Sequence, residues 1–85
     1  MTKRITCLCC GYKTIEQEYD ICPICFWEND LVQKDDPDFS GGANKLSLKE
    51  AQKNFKEFGA VERRLIKHVR KPTSKDEKDK DFKPY

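Results

Sequence analysis

Cys7-Leu8-Cys9-Cys10-Gly11-Tyr12 and Cys22-Pro23-Ile24-Cys25-Phe26-Trp27 are the two stretches that decide how this chain folds. Each holds a Cys-x-x-Cys unit, and eleven residues lie between Cys10 and Cys22. A tight turn over such a unit aims both sulfurs at one point, so two units supply the four corners of a tetrahedron. Gly11 follows the last cysteine of the first unit, where a left-handed backbone turns the amides toward sulfur. Pro23 stiffens the start of the second unit. The spacing predicts a metal centre held by Cys7, Cys10, Cys22 and Cys25, with Zn2+ as the expected ion and iron as the alternative. On that register Cys9 would leave one residue between ligands instead of two. It is read as the spare cysteine, a small buried filler, with a redox-sensitive or alternative-ligand role as its functional counterpart.

Composition explains why such a chain needs a staple. Its 85 residues make one small domain. Only 36% are hydrophobic against 38% charged, so little apolar area is available to offset ordering entropy. Five cysteines fill the gap, as a disulfide framework or as a metal cage. Met1 to Thr6 contains no apolar signal segment, and no stretch approaches the roughly 20 apolar residues of a membrane span. A cytoplasmic location without membrane contact is expected. Thiols stay reduced there, and an odd cysteine count suits disulfide pairing poorly, which favours the metal.

The formal net charge of +2 conceals an uneven distribution: residues 1–46 sum to −3 and residues 47–85 to +5. Four thiolates around one divalent ion would bring the total to zero. Overall charge therefore makes no case for nucleic acid, and only a local patch could.

The expected fold is a small α+β metal-stabilised domain, a zinc-ribbon or rubredoxin-like β-hairpin head followed by two short α-helices and a charged tail. A single zinc-binding domain spans 1–71, with the metal-binding head at 1–32 and a loop and helices at 33–71. In the head, Ile5, Thr6, Thr14, Ile15 and Tyr19 favour strand, so a short hairpin is predicted with its bend at Cys7 to Gly11. Asp35-Asp36-Pro37-Asp38 and Gly41-Gly42 read as loop. Ser47-Leu48-Lys49-Glu50 matches a capping box, Leu48, Ala51, Phe55 and Phe58 share one helical face, and Gly59 suits a left-handed stop. Val61, Leu65 and Val69 recur every four residues and predict a second, shorter helix over Ala60 to Val69. Residues 72–85 lack apolar side chains until Phe82 and Tyr85, and are expected to form a flexible tail, with docking of its last aromatics as the other reading.

Two resemblances follow from these motifs. Cys-x-x-Cys-Gly-Tyr at Cys7 to Tyr12 followed by Cys-Pro-x-Cys at Cys22 to Cys25 is similar to rubredoxin-like domains, which implies iron and electron transfer. Phe26 stands where rubredoxins usually have glycine, and the loop between units is shorter than theirs. The fuller set, namely Cys7 to Tyr12, Cys22 to Glu28, Gly41-Gly42-Ala43-Asn44 and the run from Leu46 to Arg70, resembles the bacterial cysteine-rich CPCC family across most of the chain. Leu8 takes the place of the proline in that family's tetrapeptide, without loss of a ligand. The resemblance implies the cage and fold, and an inhibitor or immunity-type role.

A closed four-thiolate zinc site has no vertex for water, so no enzymatic activity and no small-molecule substrate are expected. The leading expectation is a non-enzymatic zinc-binding protein that acts by protein-protein interaction. The alternative is a nucleic-acid-binding ribbon that uses Arg63, Arg64, Lys67, Arg70 and Lys71 as phosphate contacts. A rubredoxin-like electron carrier comes third. Phe26 and Trp27 are expected to cover the cluster and receive Phe55 and Phe58. His68 is expected to be exposed or packed, and Glu28, Asp30, Asp35, Asp36 and Asp38 to be solvated.

Overall fold

Backbone pairing in the head is brief because the two metal knuckles use most of its residues. The computed structural model describes residues 4–85, so the first three residues of the expected head lie outside the described residues. Ile5 and Ile15 form one antiparallel bridge, with N–H···O distances of 2.6 and 3.1 Å, and the knuckle at Cys7 to Tyr12 closes inside it. Ile21 and Glu28 form a second bridge around Cys22 to Trp27. Neither grows into a strand, so among the described residues isolated bridges stand where a β-hairpin is predicted.

The reason is local competition for hydrogen bonds. Thr14 N–H turns back to the Tyr12 carbonyl, and the Asp20 carboxylate accepts from the amides of Glu16 and Gln17 to close a polar loop. The backbone of Tyr12 and Lys13 pairs instead with residues 77 and 78, through the Tyr12 to Lys78 bridge and Lys13 N–H to the Glu77 carbonyl at 2.8 Å. Residues 72–85, expected as a flexible tail, thus have specific partners on the head. The Cα radius of gyration of 11.7 Å agrees with the roughly 11.9 Å of a folded 85-residue chain.

Asp30 starts a short helix, α1 (Leu31–Asp35), in a region read from sequence as the end of the head and the start of a loop. Its carboxylate caps Val32 N–H at 2.7 Å and Gln33 N–H at 3.3 Å, and its other oxygen accepts from Ala43 N–H at 2.8 Å. Asp30 is therefore buried, against the expectation of a solvated acid. Burial pushes its carboxyl up, but the amides of Ala43, Gln33 and Val32 outweigh that and hold it below the usual range. Gln33 is fully buried and bonds the carbonyls of Phe39, Asn44 and Leu46, while its own carbonyl accepts from Asn44. Asn44 in turn bonds both the N–H and the C=O of Glu28. Polar side chains thus tie the 36–46 loop to its neighbours. Gly42 is required by this crowding, since a Cβ there would stand 2.7 Å from an Asp30 oxygen.

The main helix, α2 (Leu48–Phe58), follows the sequence pattern at both ends. Ser47 and Glu50 form the reciprocal capping box, and Gly59 ends the helix at φ 84° with its N–H on the Phe55 carbonyl. Leu48 and Ala51 are buried and Phe55 packs at the edge of the core. The predicted second α-helix is a six-residue 3₁₀ helix, Arg63–His68. Glu62 is extended, at φ −145° and ψ 149°, and offers no side-chain cap, so no α-helix runs through it from Ala60. Of the three residues expected to share the predicted helix's apolar face, Val61 and Leu65 are buried and Val69 is half-buried, and only Leu65 lies within the 3₁₀ helix. No helix among the described residues is long and apolar enough to cross a membrane.

Candidate metal centre

Two turns of the same design bring the sulfurs together. In the first, Cys7 N–H bonds the Tyr12 carbonyl at 2.8 Å and Gly11 N–H bonds the Cys7 carbonyl at 2.9 Å. In the second, Cys22 N–H bonds the Trp27 carbonyl at 2.9 Å and Phe26 N–H bonds the Cys22 carbonyl at 2.8 Å. Gly11 and Phe26 occupy matching left-handed conformations, φ 82° and 74°. Each turn points its two cysteines inward.

The sulfurs of Cys7, Cys10, Cys22 and Cys25 all lie within 4.8 Å of one another. Cys7 and Cys25 are 3.5 Å apart and Cys10 and Cys22 are 3.7 Å apart. A tetrahedral ion with bonds near 2.3 Å would hold its sulfurs about 3.8 Å apart, so the donor set fits a tetrathiolate ion with small adjustments. Four cysteines are thus positioned to bind a metal ion. All four are buried, and all five cysteines of the chain are free thiols.

The surroundings act on the sulfurs unequally. Burial, reinforced by contacts with the other thiols of the centre, pushes the Cys7 and Cys25 thiols well up. Hydrogen bonds from Cys10, Cys25 and Cys7, with a smaller one from Thr14, push Cys22 far down. Metal ligation requires deprotonated sulfurs, so binding of a cation releases protons from the set. The Thr14 hydroxyl is 3.0 Å from the Cys22 sulfur and the Ile24 N–H is 3.4 Å from it. Thr14 is a positioning residue that sequence reading took only as a strand former; no spacing rule marks it.

Cys9 lies outside the four-sulfur group and is 3% exposed. It occupies the third position of its knuckle, the place that buried Ile24 takes in the other. Trp27 is fully buried and Phe55 packs against the same core, while Phe58 receives the Arg63 guanidinium at 4.7 Å from its ring centre instead of joining the core. Phe26 meets the imidazole of exposed His68, ring centres 5.8 Å apart.

The five basic residues proposed as phosphate contacts do not form a free row. Arg64 is paired with Glu62 at 3.2 Å, and Arg70 forms a two-pronged pair with Asp76 at 2.8 and 2.9 Å. Arg63 is engaged on Phe58, which leaves Lys67 and Lys71 exposed beside partnered neighbours.

The core is wired to the centre on both sides. Gln52 of α2 donates to the Leu8 carbonyl in the first knuckle at 2.9 Å, and Val61 N–H reaches Cys25 in the second at 3.0 Å. No curated protein matches the chain. A family model described as Cysteine-rich CPCC matches residues 5–76, a span that takes in both knuckles, α1, α2 and the 3₁₀ helix. The chain belongs to the cysteine-rich CPCC family.

Proposed function

We propose that this is a non-enzymatic zinc protein that works by binding another protein, as an inhibitor or immunity-type factor, in the cytoplasm. The observation that carries the reading is the closure of the centre: four buried sulfurs at tetrahedral spacing leave a bound ion no vertex for water or substrate. Such an ion stabilises a surface. Zinc is favoured over iron because a chain with so thin a core gains from a metal that stays in one oxidation state.

Partner binding is supported by where the apolar surface lies. Of the seven large hydrophobic side chains exposed among the described residues, Tyr19, Ile21, Leu31, Val32 and Phe39 all fall between residues 19 and 39. Asp35, Asp36 and Asp38 are exposed in the same stretch. An apolar segment with acidic neighbours suits a partner that presents apolar and basic groups. The paired state of Arg64 and Arg70 weighs against the nucleic-acid reading.

Two measurements test this. Protein purified from its native host is expected to be colourless with one zinc per chain; a red protein would mean iron and electron transfer. Affinity capture from the same host is expected to return one dominant protein that Val32→Asp no longer holds. Loss of nothing on Val32→Asp, or recovery of nucleic acid alone, would contradict the reading.

A further inference from the structure

Residues 77–85 lie beyond the segment that matches the family, yet they close over the first knuckle. Asp79 N–H bonds the Gly11 carbonyl at 2.8 Å, and the Asp79 carboxylate accepts from the Thr6 hydroxyl at 2.6 Å. Farther along, Tyr85 N–H bonds the side-chain Oε1 of Gln52 at 2.8 Å, the same Gln52 whose side-chain N–H holds the Leu8 carbonyl. Between these anchors the Phe82 ring lies on Gly11 so closely that a Cβ there would come 2.7 Å from the ring's Cγ. A cavity of about 270 Å³ is lined by Cys9 and Cys10 together with Phe82 and Pro84. The cavity lies beside Cys10, which is itself buried, and the C-terminal segment forms part of its wall.

We propose that Glu77–Tyr85 is a clasp that gates exchange of the metal ion between the four-cysteine centre and competing ligands in solution. The proposal rests on the metal-binding reading above. A closed tetrathiolate would exchange its ion when an incoming donor reaches the metal as one sulfur lets go, and the cavity beside Cys10 is an approach the fold provides. The cavity is several times the roughly 30 Å³ that one water occupies, so a small donor group fits once the wall moves. Lys56 and Lys78 also line it, which favours an anionic donor such as a carboxylate chelator or a thiolate. Exchange would break one metal–sulfur bond as one metal–donor bond forms. The clasp is held by a few peripheral hydrogen bonds and one half-buried ring, so it opens far more often than the whole domain unfolds.

A gate changes rates in both directions and leaves the equilibrium alone; a merely structural contact changes affinity. The test uses the full chain loaded with Co2+, whose thiolate absorption reports occupancy, with uptake followed after mixing and release followed in excess EDTA. A stoichiometric colour change in the unaltered chain tests the metal-binding reading by itself, and its absence overturns both. Phe82→Ala is expected to speed uptake and release alike by about tenfold, with affinity held within about twofold. Unchanged rates, or an affinity that falls in step with faster release, overturn the clasp while leaving the metal site standing. Should Phe82→Ala fail to fold, Thr6→Val, which removes the hydroxyl contact to the Asp79 carboxylate, decides in its place: about threefold faster exchange in both directions supports the clasp and an unchanged rate overturns it.

Discussion

The two knuckles share a hydrogen-bond skeleton to within 0.1 Å yet differ in the residue at the left-handed position, Gly11 in one and Phe26 in the other. The turn itself therefore does not demand glycine. A side chain at positive φ costs about 1–2 kcal/mol, which the second knuckle tolerates because Phe26 is half-buried and its ring meets His68. The first knuckle has no such latitude, because Phe82 occupies the space a side chain would need. Glycine is imposed at position 11 by crowding added to conformation.

Substitutions that treat the knuckles alike or unlike probe this contrast. The largest effect is expected where the two must cooperate: Cys22→Ser or Cys25→Ser should abolish stoichiometric zinc binding and unfold the head, since about 10–16 kcal/mol of binding free energy at a structural zinc site is coupled to folding. Zinc content and far-ultraviolet circular dichroism read both. A folded, zinc-replete Cys22→Ser protein would mean the second knuckle is dispensable.

Next comes Gly11→Ala, which should destabilise the metal-loaded protein by about 2–4 kcal/mol through positive-φ strain plus the clash with Phe82. Phe82→Ala in the same chain should restore about half, as seen in denaturant midpoints. Full recovery would show that conformation contributes nothing. Phe26→Gly is the counterpart in the second knuckle and should change stability by less than about 1 kcal/mol, because relief of strain offsets the lost ring contact. A loss as large as that of Gly11→Ala would erase the distinction.

A comparably small effect concerns the position Cys9 shares with Ile24. Both are buried, so Cys9→Val should keep one metal per chain and cost less than about 1.5 kcal/mol. Loss of the ion from Cys9→Val together with its retention in Cys10→Ser would reverse the ligand register.

Features encoded by neighbours along the chain were readable from sequence. The Ser47–Glu50 box, the Gly59 stop and each Cys-x-x-Cys turn depend on residues within a few positions of one another, and the repeated turn marks the two units as partners. Features encoded by side chains that reach distant backbone were not. Asp30 looked like one acid in an acidic stretch, and nothing local revealed that its two oxygens cap α1 and hold Ala43. Gln33 and Asn44 gave no sign that they would organise the 36–46 loop. The tail misled for a compositional reason. Thr73 to Asp81 has no apolar residue, and its attachment runs through backbone pairing with Gly11 and Lys13 and through the Arg70–Asp76 pair, none of which hydropathy registers. The same pairing bears on the missing hairpin, because Tyr12 and Lys13 take their partners from residues 77 and 78.

The central claim is that two unlike knuckles build one closed tetrathiolate centre. X-ray absorption at the metal edge of protein purified from its native host tests it most directly. The predicted result is one zinc per chain with four sulfur neighbours at about 2.3 Å and no lighter ligand. A shell containing nitrogen or oxygen, or protein that folds with no metal at all, would contradict it.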